Sequence, residues 1–139
     1  MAQDFPERIF KLAIQSEVND FRANNSICSG LDKQDGFIHC SDRNSAPIVA
    51  SLFFKEEKEL ILLEIDALQL PGSIEWVVGK LGDPSPVLDK TDIDTIVHYL
   101  LPDGCVHVYG PGGVPASAIV RQESVPLNDK NIHVFPTWL

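Results

Sequence analysis

The sequence predicts an α+β fold in a single compact domain, and three observations carry that expectation. The chain has 139 residues with 44% hydrophobic content, which suits one core rather than two. The segments run β-α-β-α-β-β-α-β-β, with few connections long enough for the crossovers of a doubly wound parallel sheet. Leu60 to Ile65 is almost continuously apolar, the pattern of a central strand covered on both faces.

Residues 8–14, Arg-Ile-Phe-Lys-Leu-Ala-Ile, read as the first strand. Ser16 is expected to cap a short helix ending near residue 24. Asn24-Asn25-Ser26 and Ser29-Gly30 are turn material. Gly36 to Ser41 is short and strand-like. Asp42-Arg43-Asn44-Ser45 then offers caps, Pro47 fits a first helical turn, and Ala46, Val49, Ala50, Phe53 and Phe54 recur at helical spacing. The charged run Lys55 to Lys58 ends that helix in solvent. Ile74 to Val78 is a strand, and Gly82-Asp83-Pro84-Ser85-Pro86 a loop too short to separate two domains. Thr91 is expected to cap a helix over about 92–101, because Ile93, Ile96, Val97, Leu100 and Leu101 fall on one helical face. Val106 to Tyr109 and Ile119 to Val125 are the last strands. The tail, residues 127–139, carries Val134, Phe135 and Trp138 and is expected to pack on the core.

The formal net charge of −9 argues against nucleic-acid phosphates and anionic membrane surfaces as partners. No apolar run reaches the roughly 18–20 residues that span a bilayer. The first residues lack the pattern of a signal peptide. Cys28, Cys40 and Cys105 are odd in number and form no C-x-x-C, so no disulfide and a reducing, cytoplasmic compartment are expected.

Two stretches place imidazoles in short apolar runs: Gly36-Phe37-Ile38-His39-Cys40-Ser41 and His107-Val108-Tyr109-Gly110. A buried ring costs desolvation unless it finds partners. Strand alternation puts His39 and Ser41 on one face, and likewise His107 and Tyr109. These four residues either line one polar ligand cleft, with His39 and His107 as candidate catalytic groups, or are separately satisfied core residues. Cys40 faces away from its neighbour His39 and is a poor nucleophile partner for it. His39, His107 and Glu75 match no zinc spacing, so no metal is expected. His98 and His133 are expected at the surface.

The G-F-I-H-x-S element, the strand Leu60 to Asp66, the aromatic Trp76 and His107-Val108-Tyr109-Gly110 resemble the family known as domain of unknown function 952, over about residues 8–126. That resemblance implies an ADP-ribosyltransferase-like split sheet with short helices around a cleft for NAD or an ADP-ribose-like nucleotide. The segment order is also similar to tRNA 2′-phosphotransferases, with Ile65-Asp66-Ala67 and Val114-Pro115 at matching places. It implies Lys11, His39, Ser41, Trp76, His107 and Tyr109 as ligand-binding residues, with NAD as substrate or ligand and no tightly bound cofactor. Lys11 stands where those enzymes place another histidine. No glutamate follows Trp76, so no catalytic glutamate is assigned. The alternatives to such a transferase relative are a non-catalytic module that binds a nucleotide or a modified protein, and an unrelated hydrolase or transferase with a histidine base.

Overall fold

The computed structural model describes residues 4–86 and 93–139. Seven strands form one mixed sheet in the order β4-β5-β6-β2-β1-β3-β7. They are β1 (Arg8–Ile14), β2 (Ile38–Ser41), β3 (Leu60–Asp66), β4 (Ile74–Gly79), β5 (Thr95–Leu100), β6 (Cys105–Tyr109) and β7 (Ile119–Ser124). Three short helices join them: α1 (Gln15–Asn24), α2 (Gly30–Asp35) and α3 (Ala46–Phe53). Among the described residues, only β4 and β5 pair in parallel. The remaining neighbours are antiparallel. This is an α+β domain.

The unbroken hydrophobicity of β3 follows from its place. Ile61, Leu63 and Ile65 enter a core with Val18 and Phe21 of α1, and Leu60 and Leu62 enter a second core on the opposite face. Neighbouring β1 divides in the same way, with Ile9 and Ala13 on one side and Phe10 and Leu12 on the other. Ala46 and Ala50 of α3 close the second core, and Phe135, Trp138 and Leu139 of the tail pack against it. Both faces of the sheet centre are thus removed from water, the main favourable term in folding.

Two helices differ from the sequence expectation. The helix expected over 92–101 is strand β5; Thr91, its expected cap, lies outside the described residues. All six residues of β5 are buried, between β4 and β6. A strand covered on both faces needs apolar residues at nearly every position, so it also satisfies a helical spacing. The β-branched and aromatic run Thr95-Ile96-Val97-His98-Tyr99 suits the pleat better. The second difference is α2, a helix where only turn material was expected. Ser16 also lies inside α1 rather than capping it; the first turn is tied instead by Glu17 Oε1, which accepts from the Ile14 N–H at 3.1 Å.

Candidate functional site

The middle of the sheet is split. β1 and β3 pair along seven residues, but β1 and β2 share a single register pair, Phe10 with Ser41. Continuing that register would set Leu12 opposite His39. Instead, two side chains fill the gap. The His39 N–H donates to Asp32 Oδ1 at 2.9 Å, and the His39 carbonyl accepts from Lys11 Nζ at 2.7 Å. Buried backbone groups that lose a ladder partner must find another, and here an ion pair supplies both.

Asp32 reaches the gap because of α2. Ser29 is its N-cap: Ser29 Oγ accepts from the Asp32 N–H at 3.2 Å, and Asp32 Oδ2 accepts from the Ser29 N–H at 2.8 Å. This reciprocal capping box fixes the carboxylate. Gly36, at φ +80°, ends the helix in the left-handed region and turns the chain directly into β2. Lys11 Nζ sits 2.9 Å from Asp32 Oδ2. Burial pushes the Asp32 carboxyl up, but the His39 ring, the Lys11 ammonium and the N–H groups of His39 and Ser29 together hold it well below the usual carboxylate range. Ser29→Ala is expected to lower stability by about 1 kcal/mol, as lost N-caps do, measured by urea denaturation; an unchanged midpoint would remove the capping box from this account.

His39 pairs across the strands with His107, and His107 with His98, giving a row of three imidazoles over β2, β6 and β5. The His39 and His107 ring centroids are 5.5 Å apart. Phe37 stacks on His107 at 4.2 Å and touches the rings of His39 and Tyr109 at 4.5 and 5.1 Å. His39 Nδ1 meets Asp32 Oδ1 at 2.7 Å, and Nε2 meets Asp35 Oδ2 at 2.9 Å. Burial lowers the His107 pKa to about 4, helped by His39 and His98 beside it and opposed by Asp35 and Asp32. His107 is therefore neutral near pH 7, and among the described residues nothing hydrogen-bonds its ring. His98 is buried rather than at the surface, so close to Gly79 that a Cβ there would strike its ring. His133 is also not a free surface residue: its Nδ1 and Nε2 lie 3.2 and 2.8 Å from the carbonyls of Val125 and Phe54. It ties the tail to α3.

A cavity of about 550 Å³ opens at the split. Lys11, Glu17, Asp32, His39, Ser41 and His107 are among its polar lining; Leu31, Val49, Phe53 and Phe54 are among its apolar walls. Four of the six residues picked from the sequence thus come together. Tyr109 stands beyond Phe37 with its hydroxyl 3.3 Å from Ser85 Oγ. Trp76 lies on the other face of the sheet, stacked on Phe5 at 4.8 Å and edge-on to Tyr99. Asp32, Glu17 and the aromatic wall escaped the sequence reading. Only Asp32 left a signal, the Ser29-x-x-Asp32 box. A smaller cavity of about 430 Å³ lies at Arg8, Asp42, Arg43 and Tyr99, where Arg8 is paired with Asp66 and Arg43 donates to the Trp138 carbonyl.

Thiol chemistry finds no support at the cavity. Cys40 and Cys105 both border the cavity, but Cys40 is buried and burial pushes its thiol up to about 12. Burial, with Asp103 nearby, also raises Cys105. All three cysteines are free. Among the described residues, no cluster of three His, Cys, Asp or Glu could hold a metal ion, and no helix is long and apolar enough to cross a membrane.

Fold and cavity together define a small α+β protein whose mixed sheet is split at a histidine-walled hollow. The chain belongs to the family described as "Protein of unknown function (DUF952)", whose model matches residues 13–122. It is similar to crystal structures of protein CC0527 from Caulobacter crescentus. A double mutant of that protein superposes at TM-score 0.64 with 21% identity, covering 91% of this chain and 93% of that one. The form without those mutations gives 0.62 at the same identity and coverage. The solution NMR structure of CC0527 gives 0.59 with 20% identity and 91% of each chain. At such identity the likeness speaks for the fold alone. No curated protein matches the chain.

Proposed function

We propose that the cavity binds a nucleotide-like small molecule, with NAD or an ADP-ribose-like compound as the leading class and ADP-ribosyl or phosphoryl transfer as the related chemistry. The observation that supports this is the junction of polar and apolar lining at the split: His39, Ser41 and neutral His107 on one side, Leu31, Phe53 and Phe54 on the other. Ribose hydroxyls both donate and accept, as do a hydroxyl and a neutral imidazole. A base or nicotinamide ring suits an apolar wall.

Binding without turnover fits better than transfer. The cavity's two carboxylates are engaged, Glu17 with the Ile14 N–H and Asp32 with Lys11 and His39. A histidine-base hydrolase is the second and weaker reading: among the described residues nothing hydrogen-bonds the His107 ring, but a pKa held at about 4 makes it a poor base near pH 7. The net charge of −9 supports a small molecule rather than nucleic acid or an anionic membrane as partner. We place the protein in the cytoplasm on its free cysteines.

A thermal-shift screen with NAD, ADP-ribose, nicotinamide and nucleotides tests the reading. Ligand at a hundredfold excess over Kd adds about 2.7 kcal/mol of apparent stability, so the melting temperature should rise by several degrees. His39→Ala should weaken the hit by about 1–3 kcal/mol, as loss of a hydrogen bond to a polar group does. No shift with any of these compounds at millimolar concentration would overturn the proposal.

A further inference from the structure

The His39 ring is held between two carboxylates of unlike character. Asp32 is structural: its side chain is fully buried, capped into α2 and paired with Lys11. Asp35 is not. Its side chain is 36% exposed, and its only described partner is His39 Nε2. It is the last residue of α2, where the helix dipole disfavours an acid. It is followed by Gly36, and its side chain borders solvent. Helix geometry therefore gives no reason for an aspartate there; the imidazole does.

The hydrogen bonding around the ring supports the same view. With a carboxylate on each nitrogen, His39 is fully hydrogen-bonded only when both nitrogens carry protons. If Asp35 withdraws, His39 Nε2 loses its described partner and is left beside the unbonded ring of His107, whose centroid is 5.5 Å away.

We infer that Asp35 is a tethered stand-in for an anionic group of the ligand: a carboxylate or phosphate binds His39 Nε2 beside His107 when the Asp35 side chain moves aside. This deepens the nucleotide-like reading above and rests on the same cavity, but it concerns the anionic group alone. Asp35 competes with that group as an intramolecular ligand, so free protein pays its displacement in apparent affinity.

The test uses the full chain with inorganic phosphate and acetate as probes, followed by the ring resonances of His39 and His107 in NMR titrations at fixed ionic strength. Asp35→Ala should bind the preferred anion about two- to fivefold more tightly than the wild type, the range expected for losing a partly exposed competitor. Adding His39→Gln to Asp35→Ala should abolish that gain. Preference for phosphate over acetate would identify a phosphoryl group, and the reverse a carboxylate; either supports the inference. Unchanged or weaker anion binding in Asp35→Ala overturns it, as does a gain that survives His39→Gln. Anion binding with no response to nucleotides would leave this inference standing and defeat the nucleotide reading. Nucleotide binding that is indifferent to Asp35→Ala would do the opposite.

Discussion

Lys11→Met is expected to cost about 3–5 kcal/mol, the largest effect of any single substitution at the split, because it strands a buried charge. Lys11 is 5% exposed and the Asp32 side chain is wholly buried. The ammonium makes contacts of 2.9 and 3.2 Å with the two Asp32 oxygens and donates to the His39 carbonyl at 2.7 Å. Methionine keeps the stem's packing but supplies none of these donors. Asp32 then keeps its carboxylate among the His39 and Ser29 groups with no cation at Oδ2, and the His39 carbonyl loses its partner where β1 has diverged from β2. A Lys11→Met/Asp32→Leu double variant should not recover full stability, because Asp32 also accepts from the N–H groups of His39 and Ser29. Urea denaturation at pH 7 measures both. A loss under about 1 kcal/mol for Lys11→Met would mean that water already compensates the pair.

The residues of this network differ in how visible they are in sequence. His39 and Ser41, and His107 and Tyr109, share faces because the pleat has period two, and that needs only local spacing. The apolar run of β3 is also self-evident, since few structures other than a central strand bury six consecutive residues. The meeting of His39 with His107 depends on β2–β6 register, which no local pattern gives. Lys11 was assigned through family resemblance; its own spacing puts it on the Ile9 and Ala13 side of β1. It reaches the cavity only because the strands part after Phe10 and Ser41. His98 was misplaced through β5: a wrong period at 92–101 put the ring in solvent, whereas the strand aligns it with His107. Asp32 was hidden by the brevity of α2, six residues in a stretch rich in turn formers, although Ser29-x-x-Asp32 is itself a helix-start signal.

Acid is expected to destabilise the protein through His107, and the sign follows from where its proton goes. In the unfolded chain the ring titrates near 6.5; in the fold, burial and the neighbouring His39 and His98 lower this to about 4. Above pH 6.5 both states hold the ring neutral, and its contribution is fully present. Between pH 6.5 and 4 the unfolded chain takes up a proton that the fold refuses, so stability falls with pH. Below about 4 the loss is complete, at roughly 2–3 kcal/mol, the lower figure allowing for solvent screening through the open cavity. Asp32 adds a loss of the same sign further into acid, since its carboxyl is held below the ordinary range. His107→Leu separates the two. Whatever the variant's stability at pH 7, its disadvantage should shrink, or its advantage grow, by about 2–3 kcal/mol between pH 7 and pH 4, while the Asp32 response remains. Denaturation midpoints of both proteins at half-unit pH steps give this difference directly. Parallel curves would show that His107 takes up its proton in the fold as readily as in the open chain. The neutral ring facing the cavity, and with it the acceptor on which the proposed binding relies, would then be lost.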